Sequence, residues 1–202
     1  MIALLDYKAG NLTSVRKALA AIEAPVFTPD RPDELATASA VIVPGVGHFG
    51  ATSALTGEWV EAILARVGEG RPLLGICLGM QWLYEGSEEA PELAGLGLLG
   101  GSCRRLRPEP DEARLKVPHV GWNSLDRVRD GTILEDVPDH AQVYFTHSFV
   151  APVTGDTLAA TEHGETFAAV VQRGQVAGVQ FHPEKSGDVG LQILRNFVRM
   201  AG

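Results

Sequence analysis

The 202-residue sequence holds only two cysteines, Cys77 and Cys103, far apart and without framework spacing. That excludes a disulfide scaffold and fits a reducing compartment. No stretch approaches the roughly 20 apolar residues that a membrane span needs. The apolar start Met1-Ile2-Ala3-Leu4-Leu5 has no basic segment before it and ends at Asp6, so a signal peptide is not expected. The expectation is a cytoplasmic chain with no membrane partner. Basic charge is scarce as well: 17 Lys and Arg stand against 25 Asp and Glu, for a formal net charge of −8. A surface so acidic argues against a nucleic-acid partner. Repeats, low-complexity tracts and linkers are lacking, which predicts one domain over residues 1–202.

What is present is an ordinary globular composition, 45% hydrophobic and 21% charged. In the first half, short apolar runs alternate with helical periodicity. Ile2 to Leu5 reads as a buried strand, followed by a Gly10-Asn11 turn and a helix with Leu12, Val15, Leu19 and Ile22 on one face. Ala40 to Val43 reads as a strand closed by Pro44-Gly45, Trp59 to Val67 as a helix, and Pro72 to Ile76 as a strand ending at Cys77. Val26-Phe27 is a short extra strand. This alternation predicts parallel βαβ units.

The second half is rich in short β runs: Gly100 to Arg107, Leu115 to Val120, Val143 to Phe149, Thr157 to Glu162, Phe167 to Gln172 and Val176 to Phe181. A closing helix carries Val189, Ile193, Phe197 and Met200 on one face, with Asp188 as its N-cap. The predicted fold class is α/β, a doubly wound and mostly parallel sheet flanked by helices, with an antiparallel β addition in the second half.

Three segments carry chemistry. In Gly75-Ile76-Cys77-Leu78-Gly79 a strand delivers a cysteine into a tight turn at a helix start, the geometry of a nucleophile elbow. A helix N-terminus favours the thiolate that attacks, and the Leu78 N–H would face the oxyanion formed. A buried structural cysteine is the competing reading, and it is the better one for Cys103. In His182-Pro183-Glu184 a base at a strand end has a carboxylate two residues on, able to orient it; a surface salt bridge is the alternative. In Val43-Pro44-Gly45-Val46-Gly47 a strand runs into a glycine turn with no following Gly-Lys-Ser/Thr, which excludes a P-loop. Either it is merely a turn, or the Val46 N–H is a second oxyanion donor. A flip of the Gly45–Val46 peptide would then switch that donor on or off.

These segments, with Asp6-Tyr7-Lys8-Ala9-Gly10-Asn11-Leu12, Lys116 to Asn123 and Tyr144-Phe145-Thr146-His147-Ser148, make the chain resemble the class I glutamine amidotransferases nearly end to end. Within them it is similar to the glutaminase subunits of imidazole glycerol phosphate synthases. Lys8 departs from a position where those relatives often have glycine. The resemblance implies a Cys77, His182 and Glu184 triad, glutamine contacts from Gly47, Gln81, His147 and Ser148, and no cofactor or metal. It also implies a heterodimer with a (β/α)8-barrel cyclase that consumes the ammonia in histidine biosynthesis. Asn11, Trp122 and Lys185 are candidates for that interface. Core packing for Trp122 and plain solvation for Lys185 compete. Two other readings stay open: a glutaminase subunit serving another synthase, for pyridoxal phosphate, anthranilate or guanylate, and a non-catalytic regulatory module.

Overall fold

The computed structural model of the chain describes residues 1–55, 57–107 and 116–202. The first half forms β1 (Ile2–Leu4), α1 (Leu12–Ala21), β2 (Val26–Phe27), β3 (Ala40–Val43), α2 (Glu58–Gly68), β4 (Leu73–Ile76) and α3 (Leu78–Trp82). The second half forms β5 (Gly86–Ser87), β6 (Ser102–Arg105), β7 (His119–Arg127), β8 (Ala141–His147) and β9 (Phe149–Val150). It ends with β10 (Thr157–Glu162), β11 (Thr166–Arg173), β12 (Val176–Val179) and α4 (Gly187–Met200).

Nine strands make one sheet in the order β2-β1-β3-β4-β12-β11-β10-β7-β8. The first five are parallel and the pairs from β12 onward are antiparallel. β5, β6 and β9 form a small separate sheet. The α/β class expected from the alternation, with its antiparallel addition, is the fold observed.

The parallel strands are apolar without a break because both of their faces are covered. On one face Ile2, Leu4, Ile42, Leu74 and Ile76 pack with Val15 and Leu19 of α1 and Ile193, Leu194 and Phe197 of α4. On the other, Ala3, Leu5, Val41, Val43 and Leu73 pack with Ile63 of α2 and Met80 and Trp82 of α3. Among the described residues no helix is long and apolar enough to cross a membrane.

Several boundaries differ from those read in the sequence. The run from Leu115 begins outside the described residues, and β7 starts only at His119 and continues to Arg127. Its outer side is half exposed, so residues 121–127 give no hydrophobic run. β8 starts earlier, at Ala141, and Ser148 separates it from β9. β12 stops at Val179, short of Phe181, and the chain turns away with His182. Ser186, not Asp188, holds the cap position of α4, without a side-chain capping bond. Asp188 lies in the first turn, where its charge suits the positive end of the helix.

Candidate active site

β3, β4 and β12 are neighbours and run parallel, so their C-terminal ends open on one edge of the sheet. Each end carries one of the three segments. After β4, Cys77 takes the strained backbone angles φ 53° and ψ −106°, which lift its side chain above the sheet edge. The turn closes because its flanking residues have no Cβ. One on Gly75 would lie 2.6 Å from the Gly79 backbone, and one on Gly79 would lie 1.8 Å from the Val43 carbonyl oxygen.

After β12, the His182 N–H donates to the Tyr144 carbonyl at 2.9 Å, and a 3-10 turn over Pro183–Lys185 brings Glu184 back beside it. His182 Nδ1 lies 2.8 Å from Glu184 Oε1, and both side chains are fully buried. The Asn11 carboxamide donates to the same Glu184 oxygen and stands 3.4 Å from His182 Nδ1. His182 Nε2 has no hydrogen-bond partner among the described residues. Burial works against charge on His182, but Cys77 and Glu184 outweigh it and raise its pKa to about 9. Burial likewise opposes ionisation of Glu184, yet His182 and Asn11 hold its pKa below the ordinary value.

The sulfur of Cys77 receives Gln180 Nε2 at 3.6 Å and lies 3.9 Å from the Thr146 carbonyl. Beside it is a cavity of about 290 Å³ whose walls include Gly47, Gln81, Glu89, His147, Ser148 and Phe149. After β3, the Leu78 N–H donates to the Gly45 carbonyl at 3.3 Å and the Val46 N–H to the Ala9 carbonyl at 2.8 Å. Neither amide expected to receive an oxyanion is therefore free. The Gly45 carbonyl occupies the Leu78 N–H and the Ala9 carbonyl occupies the Val46 N–H, so both contacts meet at the Gly45–Val46 peptide. A thiol on the wall of an open cavity, with a buried imidazole paired to a carboxylate behind it, supplies the parts needed for acyl transfer from an amide.

The family described as glutamine amidotransferase class-I matches residues 3–201. The chain belongs to the class I glutamine amidotransferases. This amidotransferase is 45% identical to the imidazole glycerol phosphate synthase subunit HisH of Moorella thermoacetica, over 100% of the chain and 97% of that protein. It is 48% identical to the protein of the same name from Bacillus licheniformis, over 98% and 95%. Among solved structures it superposes on one described as a glutamine amidotransferase with a TM-score of 0.77, at 22% identity, over 100% and 98% of the two chains. A glutamine amidotransferase from Thermotoga maritima gives 0.62, at 19% identity, over 98% and 80%. At that identity the two structures speak for the fold.

In the amidotransferase, Gly47, Gln81, His147 and Ser148 all line the cavity at Cys77, where the sequence expected substrate contacts. The three interface candidates separate. Trp122 is 56% exposed rather than packed in the core, edge-on to Tyr144 at 6.0 Å. Lys185 lies over the same Tyr144 ring, 5.7 Å from its centroid. Asn11, expected at the interface, donates its carboxamide N–H to Glu184, beside His182.

Sequence reasoning missed Gln180 and Glu89. Gln180 could have been noticed as a lone polar side chain in the apolar stretch Gly178 to Phe181; it is fully buried against Cys77. Glu89 sits in the acidic run Glu88-Glu89, which looks like solvated surface. Among the described residues it is the one carboxylate lining the cavity, and its Oε2 accepts the Phe49 N–H at 2.7 Å.

Proposed function

We propose that this chain is the glutaminase subunit of an imidazole glycerol phosphate synthase, working in the cytoplasm as a heterodimer with a (β/α)8-barrel cyclase. It hydrolyses glutamine to glutamate and ammonia. The cyclase uses the ammonia to make imidazole glycerol phosphate and an aminoimidazole carboxamide ribonucleotide in histidine biosynthesis. The observation that carries the reading is the buried His182–Glu184 pair beside Cys77, which opens on the cavity, together with full-length relatives of that name.

In this reading glutamine enters with its carboxamide toward Cys77 and its α-ammonium toward Glu89. The Cys77 proton passes to His182, and the sulfur attacks the carboxamide carbon. His182 returns the proton to the nitrogen as the C–N bond breaks, so ammonia leaves and a thioester remains. Water, activated by His182, attacks the thioester, restores the thiol and releases glutamate. Glu184 orients the imidazole and stabilises its charge.

The oxyanion needs the Leu78 and Val46 amides, and both are engaged by the Gly45–Val46 peptide or its contact with Ala9. Rotating that one peptide turns the Gly45 carbonyl away from Leu78 and releases the Val46 N–H from Ala9. The chain alone is then a nearly silent enzyme, and the cyclase with its ribonucleotide favours the rotated form.

Cys77→Ala tests the assignment in the assembled synthase. Glutamine-dependent synthesis should vanish, because no thioester can form, while synthesis from added ammonium salt survives. Equal loss of both in a folded complex would overturn it.

A further inference from the structure

Besides Cys77, His182 and Glu184, a line of polar contacts runs from Asn123 of β7 to the sulfur of Cys77. Asn123 Nδ2 stands 3.4 Å from His119 Nε2, His119 Nδ1 3.2 Å from His147 Nε2, and His147 Nδ1 3.0 Å from the Phe149 carbonyl. Gln81 Nε2 donates to the same carbonyl at 3.0 Å and to Gln180 Oε1 at 3.1 Å. Gln180 Nε2 donates in turn to Cys77 Sγ at 3.6 Å.

The direction of every bond follows from the ends. A carbonyl only accepts, so His147 must carry its proton on Nδ1. Its Nε2 is then an acceptor in the neutral ring and needs a donor, which His119 Nδ1 supplies. That leaves His119 Nε2 to accept from Asn123. The Asn123 amide is fixed independently: Nδ2 also donates to the Glu162 carbonyl at 2.8 Å, and Oδ1 accepts the Ser124 N–H at 2.9 Å. All donors and acceptors match only when both imidazoles are neutral.

The surroundings favour that state. His119 and His147 are 3% and 7% exposed. His119 stacks between His163 at 4.1 Å and Phe145 at 4.8 Å, and His147 packs against Phe145 and Phe167. Burial first, and the neighbouring rings after it, push the two pKa values down to about 4 and about 3.

His147, Phe149 and Gln81 line the cavity, whereas His119 and Asn123 stand behind its wall. The geometry assigns His119 and Asn123 as positioning residues for glutamine binding: they fix His147 as the Nδ1–H tautomer and so hold the Phe149 carbonyl and Gln81 in place. Free histidine prefers the other tautomer, so without this support only the Phe149 carbonyl is left to hold the His147 proton on Nδ1. The kinetic part rests on the glutaminase reading; the tautomer assignment stands without it.

Nitrogen-15 NMR of the full chain at neutral pH should find both rings neutral and protonated on Nδ1. A proton on Nε2 of His147 overturns the assignment. In the synthase, His119→Phe keeps the stacked ring and loses both nitrogens. The KM for glutamine should rise about five- to tenfold, with kcat changed by less than about threefold. His119→Asn keeps an amide donor near the Nδ1 position and should recover most of that loss. An unchanged KM in His119→Phe, or equal losses in the two variants, counts against the proposal. Should His119→Phe not fold, Asn123→Leu breaks the same line from its half-exposed end; its KM must rise in the same direction. A wild-type synthase that does not hydrolyse glutamine would refute the glutaminase reading and leave the tautomer result untouched.

Discussion

Glu184 accepts from both Asn11 and His182 through a single oxygen, and its other oxygen has no partner among the described residues. Its charge is therefore spent on the imidazole. Glu184→Gln keeps a hydrogen bond but not the charge, so it should cost less kcat than His182→Ala, measured as glutaminase turnover in the synthase. Equal inactivity would contradict the ranking. The pH profile adds a sharper check. His182 is raised to about 9, so its charged form, and the stability that form gives, is fully present below its ordinary pKa and is lost as pH rises through about 9. The alkaline limb of kcat should fall near there, and Glu184→Gln should move it to lower pH. A limb that stays in place would separate His182 from Glu184 in function.

The turn after β3 is the element on which the proposed activation depends. One peptide unit, from the Gly45 carbonyl to the Val46 N–H, makes both of the contacts that keep the oxyanion donors occupied. Gly45 has no room for a side chain, since a Cβ there would lie 2.1 Å from the Tyr7 hydroxyl, and Gly47 sits at φ 102°. Restoring one oxyanion donor is worth about 10²–10³ in rate. Saturating cyclase and ribonucleotide should thus raise kcat for glutamine hydrolysis at least about 10²-fold, with KM changed much less. Stimulation confined to KM would contradict this. The parallel strands were legible in the sequence because burial on both faces leaves uninterrupted apolar runs, as at Ala40–Val43. β7 was not, because Trp122 and Val120 face outward and break the pattern. The residues at the Cys77 and His182 strand ends were legible from local motif. The engagement of Leu78 by Gly45 was not, since nothing in either segment encodes a contact between them.

At the scale of the whole molecule, Val120 and Trp122 are two neighbouring apolar side chains on one side of β7, 57% and 56% exposed, beside Tyr144 and Lys185. Such a patch beside the Pro183–Lys185 turn suits a partner surface. Lys185→Ala should weaken stimulation by the cyclase more than it weakens glutamine binding; a change in KM for glutamine alone, with stimulation intact, would rule this out. The order of strands also bears on how the protein is born. Cys77 follows β4 directly, and the strand that completes its neighbourhood, β12, begins only at Val176. At about 5–20 residues per second of ribosomal synthesis, Cys77 waits on the order of 10 s for His182, its proposed base. A nascent or prematurely ended chain carries a thiol without an imidazole. Glutamine in the cell is thus protected from unfinished copies by the threading of the sheet itself.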